Sequence, residues 1–522
     1  MLNKVRIDKR YNWFNLKYFH NNIFVKTNYV NLEKFKNFFK TKDKLNLKIF
    51  KNFIKSLDFY FGVIIENKKN IFCAVDHVRS QPIFFDENCY ISNSVELLKK
   101  NNKPDIDSIL EFKMLGYVTD NRTLIQNVYQ INSGNIICWK KNNNKRIKIN
   151  YFKYIPTYLK KKKKYKEFDL LLNKIFQKII KKAKNKTIIV FLSGGLDSRL
   201  VLSKLVELKC KKVLAVSYGI KNNHDSIKAK EICKILNIPW LFYEHDKSKI
   251  EELYKSNERV NYSNYSSNFC STPSYLEFET LSKMNRNNML KNKIIINGQS
   301  GDYISGSHLT KFINNSRNIK KNNFYEYIIK KHYSLWNNLI NKKNCEFIEK
   351  RINESINKLK LRKEKKHFFS LYEYWEWKER QSKLVINGNK VYDFFNVEWE
   401  MPLWDKEIMN FFKGMNLNNK LNQKFYINFL KKKNFKNIFN NLRSNPEVWV
   451  GYYKIIKYIG FLLNLFPLKK LKKNFYKKMY YYSTDSNQYR MLGKENYFNN
   501  YRNSRNSVSL FSKYYLKENN LE

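Results

Sequence analysis

A turn between an apolar run and a helical pattern at residues 187–200, TIIVFLSGGLDSRL, constrains the fold of this chain more than any other feature. The apolar, β-branched run is typical of a parallel strand buried on both faces, and the leucine spacing after the turn is typical of a helix. Gly194 and Gly195 allow backbone N–H groups to approach an anion closely, and the following helix contributes the positive end of its dipole. The segment therefore predicts a phosphate-binding loop.

The same turn carries two hydroxyls and a carboxylate. Ser193 and Ser198 can donate hydrogen bonds to phosphate oxygens, whereas Asp197 would repel a bare anion. A divalent cation explains a carboxylate among phosphates, so we expect Mg²⁺ with ATP. The turn lacks the lysine and the spacing of the Gly-x-x-x-x-Gly-Lys-Ser/Thr loop, which excludes that class of nucleotide site. A helix-capping turn without a ligand is the structural alternative, but the matched positions after a buried strand favour the nucleotide.

Strand and helix patterns alternate from 187 to about 309, which predicts an α/β fold with an open parallel sheet and ligands at the carboxyl ends of its strands. Asp302 follows an apolar strand and a glycine-rich turn, as Asp197 does, so both carboxylates are predicted to bind one magnesium ion. Without Asp197, a turn-stabilising role would be the default for Asp302. The predicted nucleotide-binding residues are Ser193, Gly194, Gly195, Asp197, Ser198, Ser217, Tyr218 and Gly298.

The composition bounds the number of domains and the class of partner. The chain has 522 residues, 43% of them hydrophobic, which is enough for two or three domains. Its net charge of +55 suits a polyanionic partner, but the lysines are scattered and accompany Asn, Ile, Phe and Tyr, the residues that A/T-rich codons specify. We therefore expect no nucleic-acid partner. The apolar segment at 455–468 is too short to span a membrane, and its basic flank leaves open a weak contact with an anionic membrane surface. Seven cysteines without a Cys-x-x-Cys pair predict a reduced, cytoplasmic protein.

Taken in order, the motifs resemble those of the asparagine synthetase family, which includes β-lactam synthetases and paralogues encoded among polysaccharide-biosynthesis genes. The SGGxDS loop, which the family shares with the ATP-pyrophosphatase superfamily, is similar to 193–198, and its second motif is similar to 297–306, NGQSGDYISG. Its Glu-x-Arg-x-Pro-Phe-x-Asp segment is similar to 398–405, EWEMPLWD, and its Lys-x-x-Lys helix is similar to 420–426, KLNQKFY. The resemblance covers most of the chain.

This resemblance implies an enzyme that uses ATP to activate a carboxylate as an acyl-adenylate with release of pyrophosphate, after which an amine or ammonia displaces AMP to give an amide. It also assigns Lys424 to stabilisation of the departing pyrophosphate. A fixed ammonium suits that role, because negative charge accumulates on the leaving oxygens as the α-phosphorus is attacked. Structural roles are expected for Glu398 and Asp405.

The family resemblance also implies the domain organisation. It predicts a degenerate class II glutamine amidotransferase-like domain of αββα type at 1–155, an ATP-pyrophosphatase synthetase domain at 165–440, and a basic helical extension at 441–522. Glutamine-hydrolysing members need an N-terminal nucleophilic cysteine, whereas Leu2 stands at that position here. We therefore expect no glutamine hydrolysis, with His77 and Arg79 serving as scaffold residues. The segments that resemble the glutaminase domain are 61–63, 76–85 and 115–134.

A second departure from the family is Gln299, which replaces a glutamate thought to act as a base on the amine in asparagine synthetases. An amide side chain cannot take up a proton. Either Tyr303 or His308 supplies the base, or the acceptor differs and Gln299 orients it by hydrogen bonds. The carboxylate is left open between aspartate and a sugar uronic acid of surface polysaccharide synthesis. A separate nitrogen-supplying protein and a homodimer are also left open. The predicted catalytic residues are Lys424, Asp302 and Gln299.

Two other functions are compatible with the sequence. Adenylating enzymes that modify tRNA also use the SGGxDS loop, and the positive charge suits RNA, but the amidotransferase-like part argues against them. A non-catalytic nucleotide-binding paralogue would retain the fold, yet the presence of Asp197, Asp302 and Lys424 argues against a loss of ATP chemistry. The amide-forming ligase is therefore the favoured prediction.

Overall fold

The computed structural model describes residues 4–100, 102–143, 145–159, 163–245, 249–312, 321–356, 359, 365–441, 459, 462, 471 and 490–522. Much of the predicted extension at 441–522 lies outside the described residues, as does most of the apolar segment at 455–468. Within the described ranges, the structure contains no helix with the length and apolar character that a bilayer crossing requires.

The N-terminal part is built mainly from short strands. They are β1 Val5–Arg6, β2 Phe14–Tyr18, β3 Asn21–Lys26, β4 Gly62–Glu66, β5 Asn70–Val75, β6 Phe84–Asp86, β7 Ile91–Ser92, β8 Val128–Gln130, β9 Asn135–Lys140 and β10 Arg146–Asn150. The helices between them are α1 Tyr29–Lys40, α2 Leu47–Ser56, α3 Glu96–Lys99 and α4 Ile106–Leu115. Local chemistry sets the ends of α4: the Asp105 side chain accepts a hydrogen bond from Ser108 N, and Gly116 ends the helix at a φ of 88°.

These elements form two sheets covered by helices. The antiparallel sheet has the order β10-β9-β5-β4-β3-β2, and the smaller sheet has the order β1-β7-β6-β8. Alternate residues of β4 separate the two faces of the larger sheet: Ile64 belongs to the core between the sheets, and Val63 to the core under α1 and α2. Phe112 of α4 packs with Phe84 on the outer face of the smaller sheet. The layers therefore run helix, sheet, sheet, helix.

The remainder of the chain contains a five-stranded sheet and most of the helices. Its strands are β11 Thr187–Phe191, β12 Val213–Gly219, β13 Trp240–Glu244, β14 Lys293–Ile296 and β15 Glu398–Glu400. Its helices are α5 Tyr165–Ala183, α6 Leu196–Glu207, α7 His224–Leu236, α8 Ile250–Lys255, α9 Asn257–Ser267, α10 Phe278–Arg286, α11 Gly301–Ser305, α12 Lys321–His332, α13 Lys342–Ser355, α14 Lys365–Glu376, α15 Lys390–Phe394, α16 Lys406–Lys413, α17 Leu417–Lys420, α18 Lys424–Lys433, α19 Lys494–Asn500 and α20 Ser507–Glu518. A π-helix at Trp377–Val385 continues directly from α14.

Short 3₁₀ turns connect several of these elements. They lie at Lys9–Tyr11, Ser307–Phe312, Asn337–Leu339, Ile386–Asn389, Pro402–Trp404, Leu421–Gln423, Phe435–Asn437 and Arg490–Leu492.

The predicted parallel sheet is confirmed. Its strand order is β13-β12-β11-β14-β15, and every pairing is parallel. The carboxyl ends of β11, β12 and β14 consequently lie along one edge, where the sequence placed the ligand. Glu398 and Glu400 sit on the outer strand β15, 2.7 Å from Lys186 and 3.3 Å from Lys182 respectively. These two carboxylates hold the edge of the sheet to the end of α5.

The N-terminal layers pack directly against the parallel-sheet region. His77 Nε2 lies 2.7 Å from the Trp404 carbonyl oxygen, and Trp377 Nε1 donates to the His77 carbonyl at 3.0 Å. Burial, with a smaller effect of Lys406, lowers the pKa of His77 to about 3, so the ring is neutral. Arg79 is also buried, and its guanidinium lies 3.6 Å from Cys270 Sγ. Both side chains therefore contact residues on the far side of the boundary between the two parts.

Candidate active site at the edge of the parallel sheet

The predicted phosphate-binding loop leaves the sheet at the end of β11. Gly195 is the N-cap of α6, which begins at Leu196. The two serine hydroxyls close the loop on itself: Gly195 N donates to Ser193 Oγ at 3.1 Å, and Ser193 N donates to Ser198 Oγ at 3.2 Å. The N-terminus of α6 therefore presents its backbone N–H groups and its positive dipole at the edge of the sheet.

Asp197 and Asp302 meet, as the sheet topology predicted. The backbone N–H of Asp302 donates to Asp197 Oδ2 at 2.9 Å, and the Tyr426 hydroxyl donates to Asp197 Oδ1 at 2.8 Å. Burial, and then the charge of Asp302, raise the pKa of Asp197 to about 7. A cation between the two carboxylates would relieve their repulsion. Within the described ranges no group of three or more His, Cys, Asp and Glu side chains is placed to hold a metal ion, and binding of an ion by this pair stays a prediction.

Two glycines allow the second motif to lie against the first. A Cβ atom on Gly301 would come within 2.5 Å of Asp197 Oδ1, and one on Gly298 would come within 3.0 Å of the Asp197 carbonyl carbon. The first contact would displace the Asp197 carboxylate, and the second would require the Asp197 backbone to move by a few tenths of an ångström. The pair of acidic residues is therefore held by two loops in direct contact.

Gln299 is oriented by a network of amide side chains. Asn389 Nδ2 donates to Gln299 Oε1 at 3.1 Å, and Gln299 N donates to Asn297 Oδ1 at 2.8 Å. Asn297 Nδ2 donates to the Tyr392 hydroxyl at 3.0 Å, and that hydroxyl donates to Glu277. Burial raises the pKa of Glu277 to about 7, against the opposing hydrogen bond from Tyr392. The network thus connects Gln299 to a carboxyl group that titrates near neutral pH.

Comparison with known families identifies the chain. The asparagine synthase family model matches residues 181–442, half of the sequence, and this range includes the loops that carry Asp197 and Asp302. The chain belongs to the asparagine synthase family. Proteins of this family are ATP-using ligases that form carbon–nitrogen bonds, and this protein is an enzyme of that type.

Solved structures of low similarity were also found. One is an NH3-dependent NAD synthetase from Campylobacter jejuni in complex with the nitrate ion, at 16% identity and a TM-score of 0.24, covering 42% of this chain and 97% of that chain. Another is an NMN synthetase from Francisella tularensis, at 15% identity and a TM-score of 0.23, covering 43% of this chain and 98% of that chain. At these TM-scores the likeness supports no statement about ligands. No curated protein matches the chain.

The two lysines of the asparagine synthase motif at 420–426 have different surroundings. Lys420 is fully buried, and its Nζ lies 2.7 Å from Glu373 Oε2 and 2.8 Å from the Tyr154 hydroxyl. Lys424 is exposed at the first position of α18. The start of this helix lies beside the acidic pair, because Gln423 donates to Ser305 Oγ at 2.6 Å and Tyr426 reaches Asp197. Lys424 therefore lies at the exposed start of α18, beside the acidic pair.

The two residues predicted at the end of β12 differ in their surroundings. Ser217 is buried, and its hydroxyl donates to the Leu192 carbonyl at 2.7 Å and accepts from Trp240 Nε1 at 3.0 Å. The Tyr218 ring stacks on His245 with centroids 5.2 Å apart. Ser217 thus holds the sheet edge together, and contact of Tyr218 with a nucleotide stays a prediction.

Both residues proposed as a replacement base contact Glu373. The Tyr303 hydroxyl donates to the Glu373 carbonyl at 2.6 Å, and burial raises its pKa well above its ordinary value, so it stays protonated. His308 Nε2 lies 3.2 Å from Glu373 Oε1. Tyr303 is therefore held by the Glu373 backbone, whereas His308 faces the buried carboxylate of Glu373.

Two residues that form hydrogen bonds with the backbone of the predicted phosphate-binding loop were not predicted from the sequence. Arg199 is buried, and its guanidinium donates to the carbonyl oxygens of Gly194, Gly195, Ile438 and Asn441. The Asp225 carboxylate accepts a hydrogen bond from Gly194 N at 2.9 Å. An arginine inside the first turns of an otherwise apolar helix was the available signal for Arg199, whereas nothing in the sequence pointed to Asp225.

Proposed function

We propose that the protein activates a carboxylate with Mg-ATP and then transfers the acyl group to an amine or ammonia. The supporting observation is the pair Asp197 and Asp302, brought together by two touching loops beside the N-terminus of α6. Carboxylate oxygens suit Mg²⁺, which usually keeps several waters and binds substrate phosphates. When bound there, the ion would neutralise phosphate charge.

The chain's own residues position the reacting groups. The backbone N–H groups of 193–198 would bind the β- and γ-phosphates as the substrate carboxylate oxygen attacks the α-phosphorus and the bond to the bridging oxygen breaks. Lys424 would approach the departing pyrophosphate and neutralise its charge. In the second step the amine nitrogen attacks the acyl carbon, the bond from this carbon to the AMP oxygen breaks, AMP leaves, and the nitrogen loses its proton to solvent water. Gln299, fixed by Asn389, would orient the acceptor.

We propose aspartate or a sugar uronic acid as the carboxylate. The decisive experiment measures pyrophosphate release with ATP and Mg²⁺ while aspartate, glucuronate and galacturonate are supplied singly, with ammonium as the nitrogen source. We expect one acid to stimulate release at least tenfold, and omission of Mg²⁺ to abolish it. If no acid stimulates release and the protein also catalyses no ATP–pyrophosphate exchange, the proposal is wrong.

We further propose that this polypeptide hydrolyses no glutamine and that its parts at 1–155, 165–440 and 441–522 are an amidotransferase-like scaffold, the synthetase and an extension. Burial raises the thiol pKa of Cys73, Cys89 and Cys233, so these thiols lack the depressed pKa of an activated nucleophile. Nitrogen would come from free ammonia or from a separate protein. Purified protein incubated with glutamine and ATP should release no glutamate; release that depends on protein concentration would contradict this proposal.

Removal of the Asp225 charge should strengthen nucleotide binding. Its carboxylate occupies the Gly194 N–H that a phosphate would need and repels the phosphate as well. We expect Asp225→Asn to lower the Kd for Mg-ATP roughly three- to tenfold, about 1 kcal/mol. Isothermal titration calorimetry checks the prediction, with Asp107→Asn as a control at another exposed acidic residue. Unchanged or weaker binding would show that Asp225 does not compete with phosphate.

A further inference from the structure

A cavity of about 350 Å³ opens beside Asp302 and is used by none of the steps above. Separate parts of the chain contribute to its wall: Tyr117 from the N-terminal layers, Lys331 from α12, Arg380 from the π-helix, and Arg505 from the segment before α20. The cavity lies next to the acidic pair. The rest of the substrate acid, which we call the acceptor, would extend into this space from the carboxylate that is adenylated.

Positive charge dominates this wall. Arg380 and Lys331 share one carboxylate, Glu376, at 3.4 Å and 3.8 Å respectively. Arg505 donates to Ser334 Oγ at 2.7 Å and to the Lys331 carbonyl, and the described residues provide no carboxylate that forms an ion pair with it. Asp302 is the other acidic residue in the wall, and its charge acts on Arg380. Three cations therefore face two carboxylates, Glu376 and Asp302, and the wall carries a net positive charge.

The cavity is also lined by a buried tyrosine, Tyr117. Tyr117 is 1% exposed, and its hydroxyl has no hydrogen-bond partner among the residues that the structure describes. A buried hydroxyl without a partner is costly, whereas a ligand oxygen at this position would satisfy it. Burial raises the pKa of Tyr117 well above its ordinary value, so the group is a donor. A donor beside arginines matches an anionic oxygen.

We propose that this cavity binds a second anionic group of the acceptor, separate from the carboxylate that is adenylated, through Arg380, Arg505 and the Tyr117 hydroxyl. Guanidinium groups bind carboxylates through paired hydrogen bonds, which gives both affinity and orientation. This inference rests on the proposed function. The second anion is the α-carboxylate if the acceptor is aspartate, and a neighbouring uronate if it is an acidic oligosaccharide.

Two matched pairs of probes distinguish the sources. Aspartate is compared with its α-amide, and digalacturonic acid with galacturonic acid, in the pyrophosphate-release assay. For the pair that contains the acceptor, we expect loss of the second anion to raise KM at least tenfold. Arg505→Gln and Arg380→Gln should each raise KM for the dianionic acid about tenfold, leave KM for the singly charged partner within twofold, and leave KM for ATP unchanged.

Three variants separate binding from folding. Arg505→Lys should recover part of the affinity, and Arg502→Gln, at an exposed arginine outside the wall, should have no effect. Tyr117→Phe should weaken binding of the dianionic acid threefold or more without lowering the thermal midpoint, because the hydroxyl that it removes stabilises nothing in the free protein.

Thermal-shift titration of the parent protein with each probe provides a readout without turnover. Stabilisation by a dianion that Arg505→Gln abolishes supports the cavity assignment even if no pyrophosphate is released, in which case the proposed reaction fails and the binding site stands. The assignment is overturned if neither dianion binds the parent protein. It is also overturned if the arginine variants raise KM for ATP instead of KM for the acid, because the cations would then serve the phosphates.

Discussion

Replacement of Asp197 by asparagine is expected to abolish pyrophosphate release and, at the same time, to stabilise the free protein at pH 8. Activity should fall at least a hundredfold, because one of two carboxylates for the metal is lost. Stability should rise because Asp197 is held beside Asp302 in a partly buried site. Asparagine keeps an oxygen that can accept from Tyr426, but its NH2 group cannot accept from the Asp302 N–H, so this hydrogen bond is lost and offsets part of the gain.

The dependence of this gain on pH follows from the pKa. The folded-state pKa of Asp197 is about 7, above the value near 4 of an unfolded aspartate, so the folded protein binds more protons between these values. The contribution of Asp197 to stability is therefore lost progressively as pH rises from about 4 to about 7. Three pKa units correspond to at most about 4 kcal/mol, and relaxation of the site reduces our expectation to about 1–2 kcal/mol.

Urea unfolding of parent and variant at pH 5 and pH 8 measures this effect. The Asp197→Asn variant should be more stable at pH 8 and nearly equal to the parent at pH 5. Asp393→Asn is the matched control, because Asp393 lies 2.7 Å from the buried Lys390 and its loss leaves that ammonium without its carboxylate. The control should be less stable at both pH values. Lower stability of Asp197→Asn at pH 8 would refute the account of the acidic pair.

Much of this site could be predicted from the sequence because its signals are local. The apolar runs that became β11, β12, β13 and β14, and the glycine-rich turns after β11 and β14, define a parallel sheet whose carboxyl edge is known. Parallel topology alone brings Asp197 and Asp302 together, although 105 residues separate them in the chain. The family resemblance then added Lys424, which periodicity and composition could not distinguish from the other lysines.

The rest of the site depends on packing between distant segments. Tyr426 contacts Asp197 across 229 residues, and Asn389 contacts Gln299 across 90. No periodic pattern records such pairings, because each depends on how helices settle on the sheet. The cavity beside Asp302 depends still more on tertiary structure, since its cations come from α12, the π-helix and the segment before α20.

Some of the lysines are buried in the folded protein, which the composition alone does not show. The scattered lysines indicated A/T-rich codons, yet Lys204, Lys383 and Lys390 are buried in ion pairs. Lys204 lies 2.9 Å from Glu207, and Lys383 lies 2.7 Å from Glu379. Burial, opposed by Glu379, lowers the pKa of Lys383 to about 8. Such pairs are costly to break one partner at a time, so part of the positive charge is committed to the interior.

Substitutions of the two lysines in segment 420–426 should separate an effect on the reaction rate from an effect on the stability of the fold. Lys424→Met should lower kcat for pyrophosphate release a hundred- to a thousandfold. The reason is that Lys424 is the lysine of α18 at the end of the helix beside the acidic pair, whereas the other lysines of α18 lie in its last turn. The thermal midpoint of this variant should not change, since the side chain is exposed. Lys424→Arg should recover part of the rate, because it restores the charge with a different geometry.

Lys420→Met should behave in the opposite way. It removes the buried partner of Glu373 and leaves that carboxylate beside Tyr154 and Tyr158 without its cation, at a cost of about 3–5 kcal/mol. Thermal unfolding and single-turnover pyrophosphate release of both variants decide the assignment. A Lys424→Met protein that keeps the parent rate would remove Lys424 from the chemistry. The positive charge at the leaving group would then come from the metal ion or from the cations beside Asp302, and a rise in KM for ATP in Arg380→Gln would assign Arg380 to pyrophosphate release instead of acceptor binding.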